Sequence, residues 1–104
     1  MKKINLAISG CMGRMGQQLI KSASKDKSIK LVTLTENRVV NKKVNGIKPE
    51  YNTEEAFNRA NVIIDFTIPK CTFEILKIAT KLKKKVVVGT TGLTKKEEDL
   101  IKKF

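Results

Sequence analysis

The sequence of 104 residues has no histidine or tryptophan, and it contains only two cysteines, Cys11 and Cys71. A zinc centre needs clustered histidine or cysteine ligands, and the two cysteines do not form a Cys-x-x-Cys pair, so the sequence argues against one. We therefore expect both thiols to be small packed side chains. Cys71 also falls in the first turn of a predicted helix, where a thiol pKa can be lowered.

Long hydrophobic runs are also missing. No apolar run approaches the ~20 residues that a membrane span requires. The apolar run near the N-terminus is too short for a signal peptide, and a glycine-rich turn follows it directly. With 40% hydrophobic residues, the chain has the composition of one small globular domain. We expect a cytoplasmic protein with no membrane partner.

Acidic residues are scarce, since 10 of them stand against 22 lysines and arginines, and the formal net charge is +12. A strongly basic protein can bind nucleic acid or another polyanion, and this remains one candidate function. However, the lysines are scattered over predicted helix faces and loops, and only 5% of the residues are aromatic. We therefore expect no nucleic-acid partner.

Three of the six glycines stand close together as Gly10, Gly13 and Gly16, between an apolar run and a helical pattern. A strand, a glycine-rich turn and a helix are the context of a dinucleotide-binding fingerprint. One glycine allows the tight turn, a second lets the backbone approach a pyrophosphate, and a third lets the helix pack closely. The spacing G-x-x-G-x-x-G also fits a βα turn that binds nothing, so this motif alone leaves both interpretations open.

The rest of the chain continues the alternation of strand and helix. Apolar, β-branched runs predict strands at residues 29–35, 61–65 and 86–88, and the last two have the character of strands buried on both faces. Helices are predicted from the glycine turn to Lys25, from a Thr53 cap to Arg59, over residues 71–82, and after a Thr94 cap. Residues 37–52 form a polar connection with a short hairpin or extended piece. The fold class is α/β, a doubly wound parallel sheet of about four strands with helices on both faces.

Ligands of such sheets bind beyond the carboxyl ends of the strands. Glu36 ends the second predicted strand, 20 residues after Gly16, the distance at which an acid accepts hydrogen bonds from the adenosine ribose. An ordinary loop glutamate is the alternative. Further polar or glycine-rich segments follow the other two strands: Phe66 and Thr67 follow the third, and Gly89, Thr90 and Thr91 follow the fourth.

These motifs together resemble those of the dihydrodipicolinate reductases, also called 4-hydroxy-tetrahydrodipicolinate reductases. The matching segments are GCMGRMG at 10–16, IDFTIP at 64–69 and VGTTG at 88–92, and the resemblance covers the whole chain. It implies a Rossmann-type fold that uses NADH or NADPH. It also implies hydride transfer to a cyclic dicarboxylate, giving tetrahydrodipicolinate in the diaminopimelate route to lysine.

The resemblance also assigns roles to residues. The pyrophosphate contacts fall on the glycine turn, and Glu36 holds the adenosine ribose, with Asn37 and Arg38 next to it. The backbone of residues 89–91 lies by the nicotinamide, in a pocket that Phe66 and Thr67 also line. The cofactor-binding residues implied are Gly10, Cys11, Met12, Gly13, Arg14, Met15, Glu36, Asn37, Arg38, Phe66, Thr67, Gly89, Thr90 and Thr91.

The sequence departs from the family pattern in two places. Many members have an arginine directly after the ribose glutamate, whereas Asn37 stands there in this chain, so the choice between NADH and NADPH stays open. The family's histidine- and lysine-bearing catalytic motif lies beyond the matched region.

We therefore interpret residues 1–104 as the dinucleotide-binding part of a larger reductase, with an incomplete sheet and no catalytic residue or metal of its own. Alone it is expected to be inactive and monomeric, whereas the longer protein is expected to be a homotetramer that binds a small dicarboxylate substrate. A stand-alone module that binds a nucleotide or coenzyme A is the alternative.

Overall fold

The fold alternates strands and helices along the chain, in a computed structural model that describes residues 3–89 and 95–96. Its elements are β1 (Ile4–Ser9), α1 (Arg14–Lys25), β2 (Ile29–Thr35), α2 (Glu54–Asn58), β3 (Val62–Asp65), α3 (Pro69–Leu82) and β4 (Lys85–Val88). The predicted last helix, with its Thr94 cap, falls outside the described residues except at positions 95–96. Within the described part of the chain, no helix is long and apolar enough to cross a membrane.

The four strands form one parallel sheet in the order β2-β1-β3-β4. The register aligns the last residues of all four strands, because Ser9 pairs with both Thr35 and Asp65, and Asp65 pairs with Val88. The carboxyl ends of the four strands therefore lie side by side along one edge of the sheet. β1 is flanked by β2 and β3. This arrangement confirms the predicted parallel sheet.

Helices cover both faces of the sheet, as predicted. On one face α1 packs over β1 and β2, and the fully buried Ile8 and Leu34 lie in that core. On the other face α2 and α3 pack against a second core around Phe57, Ile63 and Ile75, all fully buried. Burying one such side chain contributes about 1.5–3 kcal/mol, so these two small cores hold the sheet edge in place.

Most boundaries agree with the sequence prediction. β2 spans the predicted residues, α1 ends at Lys25, and the Thr53 hydroxyl caps α2 by accepting a hydrogen bond from the Ala56 N–H at 3.1 Å. α3 begins at Pro69, two residues earlier than predicted, because proline is well suited to the first turn of a helix. The polar connection contains a short hairpin-like turn at Asn45 and Gly46, both with positive φ.

The prediction that β4 is buried on both faces is wrong for the described residues. Residues along β4 alternate between exposed and half-buried, and Val87 is 56% exposed. The reason is the strand order: β4 is at the end of this four-stranded sheet, and α1 packs over β1 and β2 on the face to which Val87 points. Only Val86 packs against the core beneath α3.

Candidate functional site

The glycine turn leaves β1 and is fastened to the neighbouring strand β2. Gly10 has φ +82°, a conformation that L side chains rarely adopt. The N–H groups of Gly10 and Cys11 both donate to the carbonyl oxygen of Thr35, at 3.0 and 3.3 Å, and the Gly13 N–H donates to the Gly10 carbonyl oxygen at 3.1 Å. These backbone bonds hold the turn at the carboxyl end of the sheet.

The three glycines of the turn have different reasons to lack a side chain. A Cβ at Gly10 would lie 2.4 Å from the Phe66 carbonyl oxygen, and a Cβ at Gly16 would lie 2.2 Å from the Gly10 carbonyl oxygen. Gly16 therefore allows α1 to pack closely against the turn itself. A Cβ at Gly13 would meet only the Gly10 carbonyl oxygen, at 3.5 Å, so Gly13 leaves open space beside the backbone.

The N-terminus of α1 points into that open space. Gly13 is its N-cap and provides no side-chain hydrogen bond, and the first turn contains no acidic residue. The first N–H groups of a helix have no partner within the helix, and the helix dipole favours an anion there. Arg14 and Met15, the first two helical residues, are exposed. This end of α1 therefore suits a phosphate group.

Two clefts border the glycine turn, one on each side. The first, of about 210 Å³, is lined by residues of the turn, Phe66, Thr67 and Gly89. The second, of about 270 Å³, is lined by Gly10, Gly13, Glu36, Asn37 and residues 66–68. The structure thus brings together nine of the predicted positions from four different loops. Thr90 and Thr91 lie outside the described residues.

Glu36 lies in the second cleft, and its carboxylate is held by two backbone groups. One oxygen accepts a hydrogen bond from the Met12 N–H at 3.1 Å, and the other accepts one from the Asn37 N–H at 3.1 Å. Each carboxylate oxygen has two acceptor positions, so the group can still accept hydrogen bonds from a ligand. The bond between Glu36 and Met12, which joins the glycine turn to β2 a second time, was not predicted from the sequence.

Three predicted positions, Cys11, Met12 and Arg38, line neither of these two clefts. Arg38 lines a separate cleft of about 480 Å³ with Met12, Lys42 and neighbouring residues. The Cys11 side chain is fully buried in the core beneath α1. Burial, followed by the negative charge of Glu36, raises the Cys11 pKa from 9.0 to about 11. Cys11 therefore offers the site no side chain.

The expectation that the start of α3 lowers the thiol pKa of Cys71 is wrong. Its side chain is buried, and burial raises its pKa, with the nearby carboxylates of Glu74 and Asp65 adding to the effect. The alternative prediction of a small packed residue is confirmed for both cysteines. In the part of the chain that the structure describes, no three metal-ligating side chains lie close enough to hold a metal ion.

Asp65 is a residue at the site that the sequence reasoning missed. It is the last residue of β3 and is fully buried. One carboxylate oxygen accepts hydrogen bonds from both the N–H and the hydroxyl of Thr67, at 2.9 and 2.5 Å. An aspartate two residues before a threonine is a pattern typical of such a turn, and this signal was present in the sequence.

The sequence matches a family model and several known reductases. Residues 4–104 match the family model "Dihydrodipicolinate reductase, N-terminus". A 4-hydroxy-tetrahydrodipicolinate reductase of Pelagibacter ubique (strain HTCC1062) is 66% identical over 100% of this chain and 40% of its own length. The reductase of the same name from Buchnera aphidicola subsp. Acyrthosiphon pisum (strain Tuc7) is 36% identical over 99% of this chain and 42% of its own length.

A solved structure shows the same fold. Dipicolinate-bound dihydrodipicolinate reductase from Paenisporosarcina sp. TG-14 superposes with a TM-score of 0.76 at 23% identity, over 95% of this chain and 42% of that one. The chain spans about 40% of the length of the curated relatives that it matches. The match over residues 4–104, with the glycine turn and both clefts included, shows that the chain belongs to the dihydrodipicolinate reductase family and corresponds to its N-terminal, NAD(P)-binding domain.

Proposed function

We propose that residues 1–104 form the dinucleotide-binding domain of a longer 4-hydroxy-tetrahydrodipicolinate reductase. The observation that carries the proposal is the pair of clefts on either side of the glycine turn, with a carboxylate in one of them. A dinucleotide consists of two halves joined by a pyrophosphate. The open backbone at Gly13 and the N-terminus of α1 suit the pyrophosphate, and one cleft is available for each half.

The position of Glu36 indicates which cleft holds which half of the dinucleotide. A carboxylate accepts hydrogen bonds from the two ribose hydroxyls, so we place the adenosine half in the cleft that Glu36 and Asn37 line. The nicotinamide half then lies in the cleft of Phe66, Thr67 and Gly89. Thr90 and Thr91, which follow Gly89 in the sequence motif, are proposed to contact the same half. When bound, the nicotinamide supplies the hydride for reduction of the cyclic substrate.

The residues around Glu36 bear on the choice of cofactor. The negative charge of Glu36 repels a 2′-phosphate and favours a free 2′-hydroxyl. Arg38 lies in the neighbouring cleft with Lys42, where positive charge offsets part of that repulsion. We therefore propose a domain that accepts both cofactors and prefers NADH.

We further propose that the groups that bind the substrate carboxylates and donate the proton belong to a part of the protein outside residues 1–104. The curated relatives are more than twice as long as this chain, and the chain contains no histidine. We place the longer protein in the cytoplasm as a homotetramer, with no nucleic-acid partner, and this chain alone as a monomer.

Titration of the purified 104-residue chain with NADH, NADPH, AMP and coenzyme A tests the binding proposal. We expect NADH to bind, AMP to compete with it, and coenzyme A not to bind. A folded chain that does not bind NADH would contradict the proposal. Tighter binding of coenzyme A than of NADH would favour a stand-alone module instead.

A turnover assay tests whether the groups that bind the substrate and donate the proton lie outside residues 1–104. Positioning of the substrate and proton transfer together are worth on the order of 10 kcal/mol of barrier, so their loss lowers kcat and not only KM. We expect no oxidation of NADH by this chain with freshly generated substrate. Mass spectrometry of the assayed protein should confirm that it ends at Phe104. If that protein turned over at the rate of a full-length reductase, the catalytic groups would lie within these residues.

A further inference from the structure

Asp65 ends β3 at the point where the strand meets the cofactor clefts, and its carboxylate is fully buried. It pairs with Ser9 on one side and with Val88 on the other. A buried carboxylate is costly unless it is hydrogen-bonded, so the bonds that Asp65 makes have a strong influence on nearby backbone. Neither its burial nor its partners are needed to explain the packing of the two hydrophobic cores.

The bonds of Asp65 join the two segments that line the first cleft. Its carboxylate accepts hydrogen bonds from the N–H and the hydroxyl of Thr67, at 2.9 and 2.5 Å. Its main-chain carbonyl accepts a hydrogen bond from the Gly89 N–H at 2.8 Å. Hydrogen bonds to an ionised acceptor are about twice as strong as neutral ones, so the position of Thr67 depends on the Asp65 carboxylate.

Phe66 lies between these two anchors and touches both sides of the cleft. Its N–H donates to the Ser9 carbonyl at 3.1 Å, and its own carbonyl oxygen packs against Gly10. Its ring lies so close to Gly89 that a Cβ there would be 2.3 Å from a ring atom. The position of the ring therefore depends on the path of the backbone through residues 65–67.

We propose that Asp65 is a positioning residue for the dinucleotide: its buried carboxylate fixes Thr67, and with it Phe66, so that the cleft beside Gly89 has its shape before the ligand binds. The inference rests on the proposed function. It assigns Asp65 an indirect role, because the carboxylate is buried beneath the loop. The glycine turn and Glu36 are fastened to β2 by other bonds, so these contacts with the adenosine half do not depend on Asp65, whereas Phe66 and Thr67 line both clefts.

Three variants test the proposal, with NADH and AMP as the ligands and calorimetry as the measurement. Asp65→Leu removes the acceptor and keeps the branching of the side chain, and Asp65→Asn keeps one acceptor oxygen. Thr33→Val is the matched control, because the Thr33 hydroxyl is also buried and donates to the Ala56 carbonyl at 3.0 Å, away from both clefts.

We expect Asp65→Leu to weaken NADH binding about tenfold, equivalent to about 1.4 kcal/mol. AMP binding should weaken by no more than about threefold, because Phe66 and Thr67 line both clefts whereas Gly89 lines the first and not the second. Asp65→Asn should restore NADH affinity to within about threefold of the wild type, and Thr33→Val should leave both affinities unchanged. Equal losses for NADH and AMP in Asp65→Leu, or unchanged NADH affinity in that folded variant, would overturn the inference.

If Asp65→Leu does not fold, Thr67→Val removes the hydroxyl that Asp65 accepts from and keeps the side chain's shape. It should weaken NADH binding more than AMP binding, and an unchanged NADH affinity would overturn the inference. A wild-type chain that binds AMP and NADH equally well would also overturn it. A folded wild-type chain that binds neither would contradict the proposed function itself, and so the two failures are distinguishable.

Discussion

The two clefts beside the glycine turn lie at the same sheet edge, but the loops that line them are supported in different ways. On the β2 side, the carbonyl oxygen of Thr35 accepts two N–H groups of the glycine turn, and Glu36 adds a third link to the Met12 N–H. On the β3 side, backbone bonds hold Phe66 and Gly89, and the buried carboxylate of Asp65 holds Thr67. The side-chain link on the β2 side therefore comes from Glu36 in the cleft itself, whereas the one on the β3 side comes from a buried residue. The nicotinamide side should therefore be the more sensitive to mutation beneath its surface.

Gly13→Val should give the largest effect, because Gly13 borders both clefts. Valine occupies the space beside the backbone where we place the pyrophosphate, so NADH affinity should fall more than a hundredfold, equivalent to about 2.7 kcal/mol. The backbone at Gly13 has φ −76° and ψ 167°, which any residue adopts, so the variant should fold. Calorimetry measures the affinity, and circular dichroism checks the fold.

The control for this prediction is Gly16→Ala. A Cβ there would lie 2.2 Å from the Gly10 carbonyl oxygen, so this variant should lose stability, of the order of 1–3 kcal/mol, through displacement of α1. NADH affinity that is unchanged in folded Gly13→Val would remove the glycine turn from the proposed site.

Glu36→Ala should act on the adenosine side alone. Loss of the carboxylate removes the ribose contact and the acceptor for the Met12 N–H, so we expect NADH and AMP to weaken together by about tenfold. NADPH should weaken less, since the repulsion of its 2′-phosphate disappears with the charge. Glu36→Gln is the matched variant, because it keeps an acceptor for Met12 and loses only the charge.

Competition titrations with the three ligands measure this difference. An affinity of the wild type for NADPH that exceeds that for NADH a hundredfold would show that Glu36 does not set the preference.

Phe66→Leu should act on the opposite side. The shorter side chain leaves space beside Gly89, where the ring now packs, and NADH affinity should fall about three- to fivefold. AMP affinity should fall less than twofold, because Phe66 lines the adenosine cleft but its contact with Gly89 lies in the first cleft. Fluorescence of bound NADH measures the first affinity and competition the second. Equal losses for the two ligands would mean that the clefts are not independent.

The smallest effect concerns Cys11 beneath the turn. Its folded-state pKa is raised from 9.0 to about 11, so the unfolded chain releases the thiol proton first as the pH rises. This contribution to stability is fully present below pH 9 and is lost as the pH rises through about 11. Urea unfolding of the wild type and of Cys11→Ala, compared between pH 8 and pH 11, measures it: the wild type should lose more of its stability. A constant difference between the two proteins would contradict the raised pKa.

Local sequence patterns predicted the elements well, since each depends on neighbours in the chain. The bounds of β2, the end of α1 and the Thr53 cap follow from periodicity and from a single side-chain hydrogen bond. The error at β4 has the opposite origin. Three consecutive valines indicate an apolar strand, but the exposure of its side chains depends on whether a helix covers each face. The order of the strands in the sheet decides that coverage.

The sequence by itself determined the alternation of strands and helices, the glycine turn and an acid at the end of the second strand. Only the tertiary structure decided that Glu36 binds the Met12 N–H and that the turn of Asp65 and Thr67 lies beside Gly89. The physical reason is the parallel sheet. Its register brings the ends of β2, β1, β3 and β4 to one edge, and loops distant in the chain become hydrogen-bonded neighbours there.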